Sequence, residues 1–139
     1  MMKMRKLSFL LLCVTFSVFL VGCGGDEPDG IWAKMQWDVP SGLSQADGVY
    51  MIPSSGGTYK FTCKNYKPWI EQVLEYNMLP APIADFHFCE GEWYSVMCDN
   101  YDVIITFQRL GNDDEESRDL KVELTAGDVF DYFRFRQSR

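Results

Sequence analysis

Residues 58–64, Thr-Tyr-Lys-Phe-Thr-Cys-Lys, constrain the fold more than any other stretch. In an extended chain, successive side chains point to opposite faces, so Tyr59, Phe61 and Cys63 share one side and Thr58, Lys60, Thr62 and Lys64 the other. A helix would scatter the same residues around its circumference. The period of two recurs. Tyr94, Val96 and Cys98 alternate with Trp93, Ser95 and Met97, and Val103, Ile105 and Phe107 with Ile104 and Thr106. Leu120, Val122 and Leu124 alternate with Lys121 and Glu123, and Phe133, Phe135 and Gln137 with Tyr132, Arg134 and Arg136. Ile31, Ala33, Met35 and Trp37 predict a further strand, as do Val49 to Ile52 and the pair Phe86 and Phe88 around His87. Residues 70–78 fit a helical stripe or a strand face, and their neighbours favour the strand. Pro40 to Gly48, Ser54 to Gly57, Asn65 to Pro68, Asp99-Asn100, residues 111–117 and Ala126 to Asp128 read as loops and turns. About seven to eight short strands joined this way predict an all-β, antiparallel sandwich.

Composition narrows the function. The front of the chain is different in kind from the rest. Lys3, Arg5 and Lys6 precede an apolar run, Leu7 to Val21, broken only by Ser8, Thr15 and Ser17. That run is short for a membrane-spanning helix, which needs roughly 20 apolar residues, and suits a cleaved signal peptide. Removing residues 1–22 takes away three cations and no acid, so the formal charge of −7 becomes −10. An acidic body without a basic cluster excludes nucleic acid as a partner, because that affinity rests on Lys and Arg neutralising phosphates. The 117 residues left of 139 suit one domain, residues 31–139, behind a Gly/Asp/Pro linker at 23–30.

Leu20-Val21-Gly22-Cys23 resembles the lipobox of bacterial lipoproteins. The resemblance implies a signal peptide over 1–22, cleavage after Gly22, and a diacylglyceryl group on the Cys23 thiol, often with a third acyl chain. Two or three chains hold a protein firmly on a membrane where one does not. Asp26-Glu27 resemble the acidic tether of lipoproteins sent to the outside of the outer membrane, so the expected address is the outer membrane, facing outward; the periplasmic face is the alternative. A second resemblance covers residues 49–137. Pro53-x-x-Gly56-Gly57-Thr58, an alternating strand, Asn65 and Trp69, with Arg118, Gly127-Asp128, Phe133, Phe135 and Gln137 at the end, is similar to BACON-type domains, immunoglobulin-like modules of gut-bacterial surface proteins. It implies an immunoglobulin-like sandwich, a core position for Trp69, and glycan or mucin binding.

Exposed aromatic rings serve as platforms for the CH faces of sugars, with edge hydroxyls bonded to carboxylates and amides. Trp32 and Trp93 fall out of step with their apolar neighbours and are the first candidates; Tyr66 and Tyr101 follow. Trp37 keeps step and is assigned to the core. Cys63 and Cys98 hold matching places in an echo, Tyr59-x-Phe61-x-Cys63-x-Asn65-Tyr66 and Tyr94-x-Val96-x-Cys98-x-Asn100-Tyr101. A bridge between them would add about 3–4 kcal/mol. Cys89 with Cys98 is the rival pair, and three free thiols are the third outcome. His87 and Cys89 lack the paired spacing of a zinc site, and residues 112–116 lack the alternation of a calcium loop. No Gly-x-Ser-x-Gly elbow occurs, and the acid pairs Glu90/Glu92 and Asp99/Asp102 have no readable cleft. The expectation is a non-enzyme without cofactor or metal. It would bind glycan, or else dock as an accessory subunit on another surface protein through an apolar patch or a sheet edge; a hydrolase acting through a carboxylate is the third reading.

Overall fold

In the computed structural model, which describes residues 31–75, 83–111 and 117–139, every regular element is a strand. Cys23, the leader and linker, residues 76–78 of the ambiguous segment and the 112–116 loop lie outside the described residues. The strands are β1 (Trp37–Asp38), β2 (Ser44–Ala46), β3 (Val49–Ile52), β4 (Gly57–Cys63) and β5 (Trp69–Glu75), then β6 (Phe88–Glu90), β7 (Tyr94–Asp99), β8 (Asp102–Phe107), β9 (Ser117–Thr125) and β10 (Phe130–Ser138). Sheet I runs β1-β4-β8-β7-β6 and sheet II runs β2-β3-β10-β9-β5. The all-β sandwich expected from the alternation is what forms.

The alternation places the core. Phe61 of β4, Val96 of β7 and Val103 and Ile105 of β8 are fully buried on the inner face of sheet I. Ile70 of β5, Leu120, Val122 and Leu124 of β9 and Phe135 of β10 meet them from sheet II. The Phe61 ring stacks on Phe133 at 4.3 Å, and Phe107 lies 5.1 Å from Phe135, so aromatic pairs cross between the sheets. Each such side chain contributes about 1.5–3 kcal/mol by leaving water.

Three expectations need correction. Among the described residues ten strands form instead of seven or eight. One of the additions, β2, lies inside the presumed 40–48 loop and makes a hairpin with β3 through Asp47 and Gly48, both at positive φ. This is the two-residue turn for which Asp-Gly is suited. The sandwich is also not wholly antiparallel: β10 slots beside β3 in parallel, with Arg134 opposite Val49 and Gln137 opposite Ile52. Finally, residues 31–36 are not a strand. Only Trp37 and Asp38 pair with β4, Ile31 is fully out in solvent, and Met35 alone turns inward. One backbone bond, Lys64 N to Gln36 O at 2.7 Å, and the side chains of the Asn65 loop secure this segment. Asn65 Oδ1 accepts from Gln36 N at 3.1 Å, and Asn65 Nδ2 donates to Lys34 O at 2.9 Å.

Trp37 and Trp69 are half-buried and do not join the buried core. Trp37 sits edge-on to Phe133 at 4.8 Å, with its Nε1 donating to Asp131 at 2.9 Å, so the polar end of the indole stays at the rim.

Among the described residues two polar side chains are buried, Thr125 and Gln137. Gln137, 1% exposed, donates from Nε2 to Gln108 O at 2.8 Å, Pro53 O at 3.1 Å and Ser54 O at 3.4 Å. Its Oε1 accepts from Arg118 Nε at 2.8 Å. One amide thus ties β10 to the β3–β4 turn, to the chain leaving β8 and to β9. The turn itself needs glycine. Gly56 has φ +77°, and a Cβ there would lie 2.2 Å from the Phe107 carbonyl oxygen.

Candidate functional site

The outer face of sheet II carries a groove of about 370 Å³. Its residues are placed by register. Val49, Arg134, Lys121 and Leu74 stand side by side across β3, β10, β9 and β5. Met51, Arg136 and Asp119 form the next row, and Tyr132, Glu123 and Gln72 the row on the other side. They face outward because their neighbours Phe133, Phe135, Leu120 and Val122 face inward, as strand geometry requires. Val49 and Leu74 give the groove aliphatic walls, while Glu75, Lys121, Arg134 and Arg136 give it charged ones.

The polar groups are held in place before any ligand arrives. Arg136 donates to both oxygens of Asp119, at 2.8 and 3.0 Å, the fork-to-fork pairing that fixes a guanidinium in a plane. Tyr132, half-exposed, has the Lys121 ammonium 4.7 Å and the Arg134 guanidinium 5.3 Å from its ring centre. Gln72 and Lys121 both reach Glu123. Burial pushes the Glu123 carboxyl up, but the hydrogen bonds from Lys121 and Gln72 and the charge of Lys121 outweigh it and hold the group below the usual carboxylate range. The result is a shallow surface with apolar patches, fixed donors and fixed acceptors.

None of the four aromatic residues singled out from the sequence lines this groove. Trp32, 58% exposed, precedes the segment fastened to the Asn65 loop. Tyr66 is half-buried and donates its hydroxyl to Ala33 O at 2.9 Å. Tyr101, 45% exposed, lies at the same end, where its carbonyl accepts from Cys63 N and Lys67 stands 5.4 Å from its ring. Trp93 is at the opposite end of β7, about 20 Å away along the strand. Its ring is engaged: the Arg118 guanidinium lies 4.4 Å from it, Tyr94 and Phe107 pack beside it, and its Nε1 reaches Glu75 at 3.4 Å. The groove residues carried one signal in the sequence. The outward positions of the last two strands collect Lys121, Tyr132, Arg134 and Arg136 in an otherwise acidic chain.

Among the described residues the three cysteines, Cys63, Cys89 and Cys98, are free thiols. Cys98 pairs with Val103 of β8, and Val103 pairs with Phe61 of β4, so β8 separates Cys98 from Cys63. Two strand spacings, about 10 Å, exceed the roughly 7 Å a disulfide can bridge. The echo is not an equivalence either. Asn100 turns the chain at positive φ, whereas Asn65 clamps another segment and accepts from the Cys63 thiol at 3.4 Å. Burial pushes the Cys98 thiol up to about 12; burial, and then the charge of Glu75, raise Cys89. The described residues hold no cluster of three or more His, Cys, Asp or Glu side chains.

The fold has a counterpart among solved structures. A protein from Bacteroides thetaiotaomicron, determined by NMR, is 34% identical, with 84% of this chain and 97% of that chain covered at a TM-score of 0.67. The chain belongs to that protein's family. The family's occurrence in a gut Gram-negative bacterium is consistent with the kind of source that the sequence resemblances imply. No protein-family model matches the chain, and no curated protein matches it.

Proposed function

We propose that this family member is a lipid-anchored, outward-facing module of the outer membrane that binds glycan without turning it over. On this reading Cys23 carries the acyl chains, the sandwich is a BACON-like immunoglobulin domain, and the groove on sheet II is the binding surface. The observation that supports it is the groove, with aliphatic walls and a bidentate Arg136–Asp119 pair, and the exposed Tyr132 in the row beside it on the same sheet. A sugar presents an apolar CH face and hydroxyls that both donate and accept, and this surface matches each. The location of the groove on strands, not on loops, holds its groups in a preset geometry, which lowers the ordering cost of binding.

Affinity electrophoresis of the detergent-solubilised mature protein in gels containing mucin or plant polysaccharide tests the reading. Retardation is expected, with a loss of about tenfold in affinity for Arg134→Ala and Tyr132→Ala. Trp93→Ala is expected to leave retardation unchanged. Absence of retardation by every polysaccharide, or retardation indifferent to both groove variants, overturns it. The anchor is tested separately by palmitate labelling, which Cys23→Ser is expected to abolish.

A further inference from the structure

The outer face of sheet I differs in character from the groove on sheet II. Lys60, Ile104, Met97 and Phe88 form one row across β4, β8, β7 and β6. Their neighbours Phe61, Val96, Val103 and Ile105 are buried, so this row points to solvent. Phe88 is 43% and Met97 40% exposed, and Ile104 lies half-covered between Met97 and Lys60. Three apolar side chains in register are a continuous stripe, not scattered exposure. Carboxylates flank it: Asp99 and Asp102 form the row on one side, and Glu90 ends the row on the other, where Ser95, Thr106 and Thr58 complete it. Asp38 continues the first row through Thr62 and pairs with Lys64 at 3.1 Å, so four acids stand against two lysines.

We infer that this face docks a protein partner whose surface carries basic residues around an apolar centre. Phenylalanine and methionine are enriched at the centres of protein interfaces, and the unbranched Met97 side chain adapts to the shape it meets. Charged rims select partners by sign and speed their encounter. The rim here is acidic, and the chain behind the leader bears −10, which sets a second copy of the same face against itself. The same charge opposes an anionic lipid surface. What remains is a protein of opposite rim charge. The site lies on the sheet opposite the groove, so a glycan and this partner can be held at once.

The test selects binders from a displayed library of random peptides against the full mature chain. The selected peptides are expected to carry Lys or Arg on both sides of an apolar residue. Their affinity is expected to fall about tenfold with Met97→Ser and with Phe88→Ser, to weaken as salt is raised from about 0.05 to 0.5 M, and to be unchanged by Arg134→Ala on the other sheet. Both serine variants remove outward side chains, and unchanged thermal midpoints will show that the fold is kept. Peptides without excess basic residues, or binding indifferent to both serine variants, overturn the inference. So does a concentration-dependent dimer that Met97→Ser dissolves in sedimentation, since the occupant is then a second copy.

Discussion

Replacing Gln137 with methionine keeps the length of the side chain and removes both ends of its amide. The carbonyls of Gln108 and Pro53 lose a donor, and Arg118 Nε loses an acceptor, at a site 1% exposed. A neutral hydrogen bond contributes about 0.5–1.5 kcal/mol net and one to a charged group about 1.5–3. Both carbonyls keep one other partner, Pro53 O from Gly56 N and Gln108 O from Arg118 Nη2, which limits their loss. The expected destabilisation is therefore about 2–4 kcal/mol, with a fall in Tm of about 10–20 °C for a domain of this size. Urea unfolding followed by circular dichroism measures it directly. Gln137→Glu sharpens the test. The introduced carboxylate would face carbonyl oxygens with only Arg118 to offset them, so its folded pKa is raised. That variant must be less destabilised at pH 4 than at pH 7. A Gln137→Met loss under about 0.5 kcal/mol with an unchanged m-value, or a Gln137→Glu loss indifferent to pH, refutes the reasoning.

Three further outcomes follow from the same structure. Gly56→Ala forces a Cβ to 2.2 Å from the Phe107 carbonyl at φ +77° and should cost about 2–4 kcal/mol in chemical unfolding. Asn65→Ala removes two bonds that hold residues 34–36 and should cost about 1–2 kcal/mol while making residues 31–36 the first site of limited proteolysis, read by mass spectrometry. Burial raises the folded pKa of Cys98 from 9.0 to about 12 and of Tyr94 from 10.0 to about 12. Their contribution to stability is complete below the unfolded values and is lost as pH rises from about 9 toward 12, where the unfolded chain ionises first. Cys98→Ala should flatten the lower part of that decline in urea midpoints measured against pH.

The strands that face both core and solvent were legible because a period of two is imposed by the backbone. Phe133, Phe135 and Gln137 inward, and Tyr132, Arg134 and Arg136 outward, follow from it without any knowledge of partners. The β2–β3 hairpin had a local signal, Asp47-Gly48, outweighed by the proline and glycines around it. The parallel β3–β10 pairing had none, since it joins residues more than 80 positions apart. The early segment misled for a definite reason. Its alternation was genuine, but the side chains of Asn65 and Tyr66 hold it, and such bonds leave no period in the sequence. The groove was missed because it belongs to no single strand. Val49, Leu74, Lys121 and Arg134 become neighbours only through register, whereas Trp32 and Trp93 stand out within their own segments as aromatic residues out of step with the apolar alternation.

The two ends of the domain are fastened in different ways. Residues 33–36 hang from the Asn65 loop, and β1 adds only two pairs at the rim of sheet I. The closing strand, β10, is bonded on both sides, along nine pairs to β9 and four to β3. A pull on the leading end therefore opens its bonds one after another, like a zip, while the trailing end would be loaded in shear. Under drag the front segment would peel first and pay out about 25 Å of slack, with both broad faces of the sandwich left standing.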